Sequence, residues 1–174
     1  MFIHEMFQQK PCVFSVEVFP PKKAGAAEET LYPVLRELCT LGPDYISVTY
    51  GAGGGTAGQS TAKIASYIKN GLHVEALAHL TCVNSTRVQV EETLTRLRED
   101  NVENVLALRG DINPDLPRRM DFLHASDLAK AIAQTGGFGV AGACYPEGHV
   151  ESPSLKADVE SLRYKAEAGV SHLI

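Results

Sequence analysis

The residues best suited to chemistry in this sequence fall at the ends of apolar runs. The stretch "FSVEVFPPKK", residues 14–23, sets one carboxylate, Glu17, among Val16, Val18 and Phe19 before a Pro-Pro stop. An ionised carboxylate costs several kcal/mol to bury unless it is paired, and burial raises its pKa. Glu17 is therefore either a proton donor held in a pocket or one half of a rim ion pair with a lysine such as Lys22. "LALRGD" delivers Arg109, Gly110 and Asp111 together. The planar fork of Arg109 suits a phosphate or carboxylate, and Asp111 suits a heterocycle N–H; the plainer reading is an Arg–Asp surface pair. "CYPEGH" groups Tyr145, Glu147 and His149. These could serve as metal ligands, or Tyr145 could stack on a ring beside a hydrogen-bonding His149. His79 lies in another apolar run, as a catalytic group or a satisfied core histidine.

Glycines add a further candidate. "YGAGGGTAG" holds Gly53-x-Gly55-x-x-Gly58, the spacing of a dinucleotide fingerprint. The acidic residue expected about 20 positions on, at the end of the next strand, is poorly matched by Glu75, which opens that strand. A loop whose glycines let a ligand approach the backbone fits as well. Cys82 and Cys144 read as small core fillers, and none of the four cysteines forms a C-x-x-C pair, which points to reduced thiols and a cytoplasmic location. A net charge of −5 without a Lys/Arg-rich run argues against a nucleic-acid surface. No apolar run nears the ~20 residues of a membrane span, and residues 1–10 lack the pattern of a secretory signal.

The elements that would position these groups alternate in type. Strands are expected at 13–19, 45–50, 75–83, 104–110, 138–146 and 171–174, with starts about 30 residues apart, the size of one βα unit. Between them, residues 28–42 place Leu31, Leu35 and Leu38 on one helical face, and residues 58–71 repeat Ile64, Tyr67 and Ile68. Residues 85–100 carry a Thr86-x-x-Gln89 capping box before the Val90, Leu94 and Leu97 stripe. The segment at 125–137 ends in glycines, and 152–170 opens on Ser152-Pro153. Apolar strands joined by helices predict an α/β fold with a parallel sheet, in one domain over 1–174. Candidate groups at the ends of five successive strands favour a (β/α)8 TIM barrel over an open doubly wound sheet, because a barrel gathers all its strand ends around one site. Such a barrel is expected to be incomplete here, about five βα units and a sixth strand.

Taken in order, "FSVEVFPPK", "YISVTYGAGG", "LAHLTCV", "LALRGD" and "CYPEGH" resemble the 5,10-methylenetetrahydrofolate reductase family, over about residues 13–174. The resemblance implies a barrel binding FAD at the C-terminal ends of its strands. It also implies ping-pong transfer of hydride from NAD(P)H, by way of the flavin, to methylenetetrahydrofolate, yielding 5-methyltetrahydrofolate. It assigns Glu17 as the general acid that protonates the folate N10 as the five-membered ring opens, and Asp111 as the carboxylate beside the flavin pyrimidine and the pterin. Thr49, Tyr50, Ala52, His79, Arg109, Gly110, Ala125, Tyr145 and His149 match flavin contacts. Asp158 and Lys165 match positions that hold the ribityl, phosphate or adenosine part. Ser161 and Tyr164 stand where many bacterial relatives carry Asn and Arg, and Arg163 is a candidate substitute. Family residues for folate follow the "AGVSHLI" segment in relatives. The 174 residues are thus expected to be about the first 60% of a barrel, inactive or nearly so alone, and open to pairing with another copy.

Overall fold

The structure is a computed structural model that describes residues 1–21, 23, 25–50, 55–112 and 119–174, with the backbone alone at 55–57. Ala52 and Lys22, and with them the first glycines of the 51–58 loop and the alternative partner of Glu17, lie outside the described residues. Six strands form one parallel sheet in chain order: β1 (Ser15–Val18), β2 (Tyr45–Val48), β3 (Glu75–Thr81), β4 (Asn104–Leu108), β5 (Gly139–Gly142) and β6 (His172–Leu173). Their register runs Glu17↔Ser47, Ser47↔Leu77, His79↔Leu106, Leu106↔Ala141 and Ala141↔His172. Unbroken neighbour order with helical crossovers curls the sheet into a half-barrel, an incomplete (β/α)8 architecture.

Strand periodicity gives each face its own core. Outward, Val18, Ile46, Val48, Ala78, Leu80, Val105 and Val140 pack under the helices. These are α2 (Tyr32–Cys39), α3 (Gly55–Ser66), α4 (Arg87–Glu99) and α5 (Ala125–Thr135). Leu35, Ile64, Ile68, Val90, Leu94 and Leu97 are buried to within 2% exposure, as their helical spacing predicts. The capping box forms: Gln89 N–H donates to Thr86 Oγ1 at 3.3 Å and Thr86 N–H to Gln89 Oε1 at 2.9 Å. Two π-helical turns, Ala27–Leu31 and Tyr67–Gly71, flank α2 and α3, and Tyr32 stacks on Tyr67 with centroids 3.7 Å apart. The expected helix over 28–42 is thus a π-helical turn followed by a shorter α-helix. The last helix, α6, runs Leu155–Glu167 rather than from Ser152. Ser154, itself extended at φ −165° and ψ 157°, caps it, accepting from Ala157 N–H at 3.2 Å.

Inward, a second core of Tyr45, Leu77, Leu106 and Ala141 is closed at the N-terminal end of the strands by α1 (Ile3–Gln9), through Ile3 and Met6. The sequence reading assigned no helix there. Asn104, fully buried, fixes it by accepting from Ile3 N–H at 2.9 Å and donating to Met1 O at 3.1 Å. The candidate strand-end groups lie at the opposite, C-terminal end of that inner face.

The short β6 strand meets α1 through rings. His172 lies 5.6 Å from Phe7, and His172 Nε2 and His4 Nδ1 are buried without hydrogen-bond partners. Burial, with His4 adding, pulls the pKa of His172 from 6.5 down to about 4. The folded value lies below the unfolded one, so the unfolded chain takes up this proton first. The stabilisation is complete above about pH 6.5 and is lost as pH falls toward 4. The melting temperature is expected to drop between about pH 7 and about pH 4.5, and His172→Gln is expected to flatten part of that slope.

Candidate active site

At the C-terminal ends of β2–β5 the strands and their following loops enclose a cleft of about 980 Å³. Thr49 and Tyr50 reach it from β2, His79 from β3, and Arg109, Gly110 and Asp111 from β4. Ala125 comes from the start of α5, Tyr145 and His149 from the loop after β5, and Lys165 from α6. Ten positions scattered over more than a hundred residues therefore share one cavity. Asp158 stands behind it: its Oδ2 accepts from His149 N–H at 2.9 Å, so it shapes the loop rather than lining the cleft. Arg163 also stays outside, with its Nε 3.6 Å from Glu167.

Gly110 sets the floor. Its φ is +84°, and a Cβ there would come within 3.0 Å of Thr81 Cβ and 3.3 Å of Val83 Cγ1. Only glycine suits both the left-handed backbone and the close approach. Gly110→Ala is expected to cost about 1–3 kcal/mol, read as a drop of several degrees in melting temperature, and to weaken any ligand held in the cleft.

Cationic and aromatic groups are held by neighbours. Arg109 makes a two-pronged bond to Glu151, Nη1–Oε2 at 2.6 Å and Nη2–Oε1 at 2.8 Å. The expected Arg109–Asp111 surface pair is thus replaced by a partner 42 residues away, which sequence reading missed. The Glu151 bond raises the Arg109 pKa further. Asp111 is exposed at the rim. Lys165 Nζ donates to Ala143 O; burial lowers its pKa while Asp158 opposes the shift. Tyr145 and His149 meet edge to face at 4.9 Å. Burial raises the pKa of the Tyr50 hydroxyl, opposed by its hydrogen bond with Ser85. Thr81, a strand-end candidate beside His79, lines the cleft too, as do Asn84 and Ser85, which neither spacing nor composition marked as binding residues.

Glu17 projects from β1 beside this cavity, with its side chain 49% exposed. Its exposure is greater than a dry pocket would give, because β1 is the edge of the sheet. Ser47 Oγ donates to Glu17 Oε2 at 3.2 Å, and His79 Nε2 lies 3.4 Å from the same oxygen. His79 is only 8% exposed, and burial lowers its pKa, with Glu17 acting the other way. Its Nε2 has no hydrogen bond of acceptable geometry, so it is not a satisfied core histidine.

The chemistry of the cleft's donor set fits a bound flavin nucleotide: His79 Nε2 is buried without a hydrogen bond of acceptable geometry, and the cations Arg109 and Lys165 line the same cleft, where phosphate would need them.

The family model for methylenetetrahydrofolate reductase matches residues 2–174. A 5,10-methylenetetrahydrofolate reductase from Pectobacterium carotovorum is 37% identical over 160 residues, 92% of this chain and 52% of that protein. The Escherichia coli K12 protein of that name is 34% identical over 92% of this chain and 53% of its own length. Methylenetetrahydrofolate reductase (NADH) 1 of Arabidopsis thaliana is 34% identical over 99% of this chain and 31% of its own. The chain thus spans about half the length of its bacterial relatives. Among solved structures, a 2,3-dimethylmalate lyase superposes with a TM-score of 0.62 at 13% identity, over 98% of this chain and 61% of that one. A phosphonopyruvate hydrolase gives 0.62 at 12%, over 99% and 62%. At such identities these two speak for the fold alone. The match over 2–174 and the identity of more than a third to a named reductase place this chain in the methylenetetrahydrofolate reductase family.

Proposed function

We propose that this chain forms the flavin-binding part of an enzyme that reduces 5,10-methylenetetrahydrofolate to 5-methyltetrahydrofolate, with FAD as cofactor and NAD(P)H as electron donor, in the cytoplasm. The observation that carries the reading is the convergence of ten family-matched positions on one cleft. When bound, FAD supplies two-electron transfer between nicotinamide and the folate one-carbon unit. The protein's own residues do the rest. Arg109 and Lys165 would face the negative part of the cofactor, Tyr145 and His149 would offer ring faces and edges, and Gly110 would keep the strand-end turn packed on Thr81 and Val83. Asp111 sets a carboxylate where the pterin and the flavin pyrimidine would meet, and Glu17 gives the proton to N10.

The test is a visible absorption spectrum after FAD addition and gel filtration. Retained flavin bands that bleach with NADH under anaerobic conditions are expected; a colourless protein overturns the reading. A second reading, a flavin- or pterin-binding partial barrel without turnover, draws on one observation: among the described residues β1 and β6 each pair on one side only, leaving sheet edges open to a second copy or other chain. Flavin uptake without NADH–menadione activity would favour it.

A further inference from the structure

We propose that Ser47 and His79 are positioning residues for Glu17: together they hold its Oε2 and leave Oε1 as the oxygen that carries the transferable proton. The inference rests on the reading of Glu17 as a proton donor.

Three adjacent strands build the arrangement. Glu17 and Ser47 are register partners on β1 and β2. His79 stands two residues beyond Leu77, the register partner of Ser47 on β3. The two-residue period turns all three side chains to the inner face. Ser47 and His79 are buried, at 6% and 8% exposure, whereas half of the Glu17 side chain is open. The carboxylate is thus gripped on its buried side and free on its open side. A glutamate has three side-chain torsions and must be ordered before it can deliver a proton along one line. Two contacts to one oxygen supply that order: Ser47 Oγ at 3.2 Å and His79 Nε2 at 3.4 Å.

Donor chemistry then fixes which oxygen is protonated. The Ser47 hydroxyl donates to Oε2. A neutral His79 with its hydrogen on Nε2 offers a second donor to that atom, and a small ring rotation would align it. An oxygen accepting from two donors is the poorer proton site, so the acid hydrogen belongs on Oε1. No described residue bonds Oε1. Burial favours the neutral imidazole.

Nitrogen-15 labelling of histidine tests this without turnover. Long-range proton–nitrogen correlation reads both the tautomer and the titration midpoint of His79. The hydrogen is expected on Nε2 at neutral pH. Glu17→Gln is expected to lower the His79 midpoint, because the carboxylate is the charge that raises it. Ser47→Ala is expected to shift it the same way by less, by releasing the carboxylate. A hydrogen on Nδ1, or a midpoint unmoved in Glu17→Gln with a native melt, overturns the proposal. FAD uptake by the same samples separates the two readings. Coupling without uptake sinks the flavin reading alone; uptake without coupling sinks this one alone.

Discussion

Glu17→Gln is expected to lower methylenetetrahydrofolate reduction about 10²–10⁴-fold in the proposed reductase, the range a positioned general acid contributes. The substitution keeps the shape of the side chain and an oxygen that can accept from Ser47. It removes only the proton. Reduction of bound flavin by the nicotinamide needs no proton from this residue and is expected to change less than about twofold. Rapid-mixing kinetics read the two half-reactions separately. Equal losses in both would assign Glu17 to cofactor binding instead. Exposure of 49% does not argue against the role, since a substrate seated over the open side of the carboxylate displaces the water that now covers it. The β1 edge makes the prediction sharp: with no strand beyond Glu17 among the described residues, β2 and β3 supply its two close polar neighbours.

How much of this was legible depends on how local each signal is. Strand starts expected at 13, 45, 75, 104, 138 and 171 fall at 15, 45, 75, 104, 139 and 172, because a parallel strand covered on both faces reads as an unbroken apolar run. That strand-end candidates would gather at one cleft was legible for a related reason, since a barrel places strand ends together, whereas Ala125 and Lys165 were marked by the family resemblance alone. What failed to show was nonlocal or too short. Helix α1 offers only Ile3 and Met6 as a period, and its fixing partner Asn104 is a hundred residues away. Glu151 lies in an irregular loop, and nothing in its own neighbourhood says that it will grip Arg109. Ser47 alternates with apolar neighbours in β2 and reads as filler until its register with Glu17 is known. The edge position of β1 likewise follows from the sheet order, not from any residue in the strand, which is why the acid is wetter than the apolar run around it suggests.

Leu77→Ala is expected to cost about 2–5 kcal/mol, the range for a fully buried leucine, and to lower the melting temperature by roughly 4–15 °C. Leu77 has no exposed surface and sits in the inner core with Ile3, Met6, Tyr45, Leu106 and Ala141. Among the described residues that cluster holds six buried members, against twenty-five in the core under the helices, so one leucine is a larger share of what it has. Two effects compete over the cavity left behind. The strands on either side are hydrogen-bonded in register and cannot close in. Helix α1 is only seven residues long and can shift to fill part of the space. The loss should therefore fall below the upper limit, because a site that collapses costs less than one that stays open. Ile3→Ala on the same cluster tests that argument. If α1 relaxes into the space, the two losses add to less than their sum by ~0.5 kcal/mol or more; full additivity would mean that the helix is rigidly held by Asn104. Val150→Ala, at a side chain 96% exposed, is the control and should move the melt by less than about 0.5 kcal/mol.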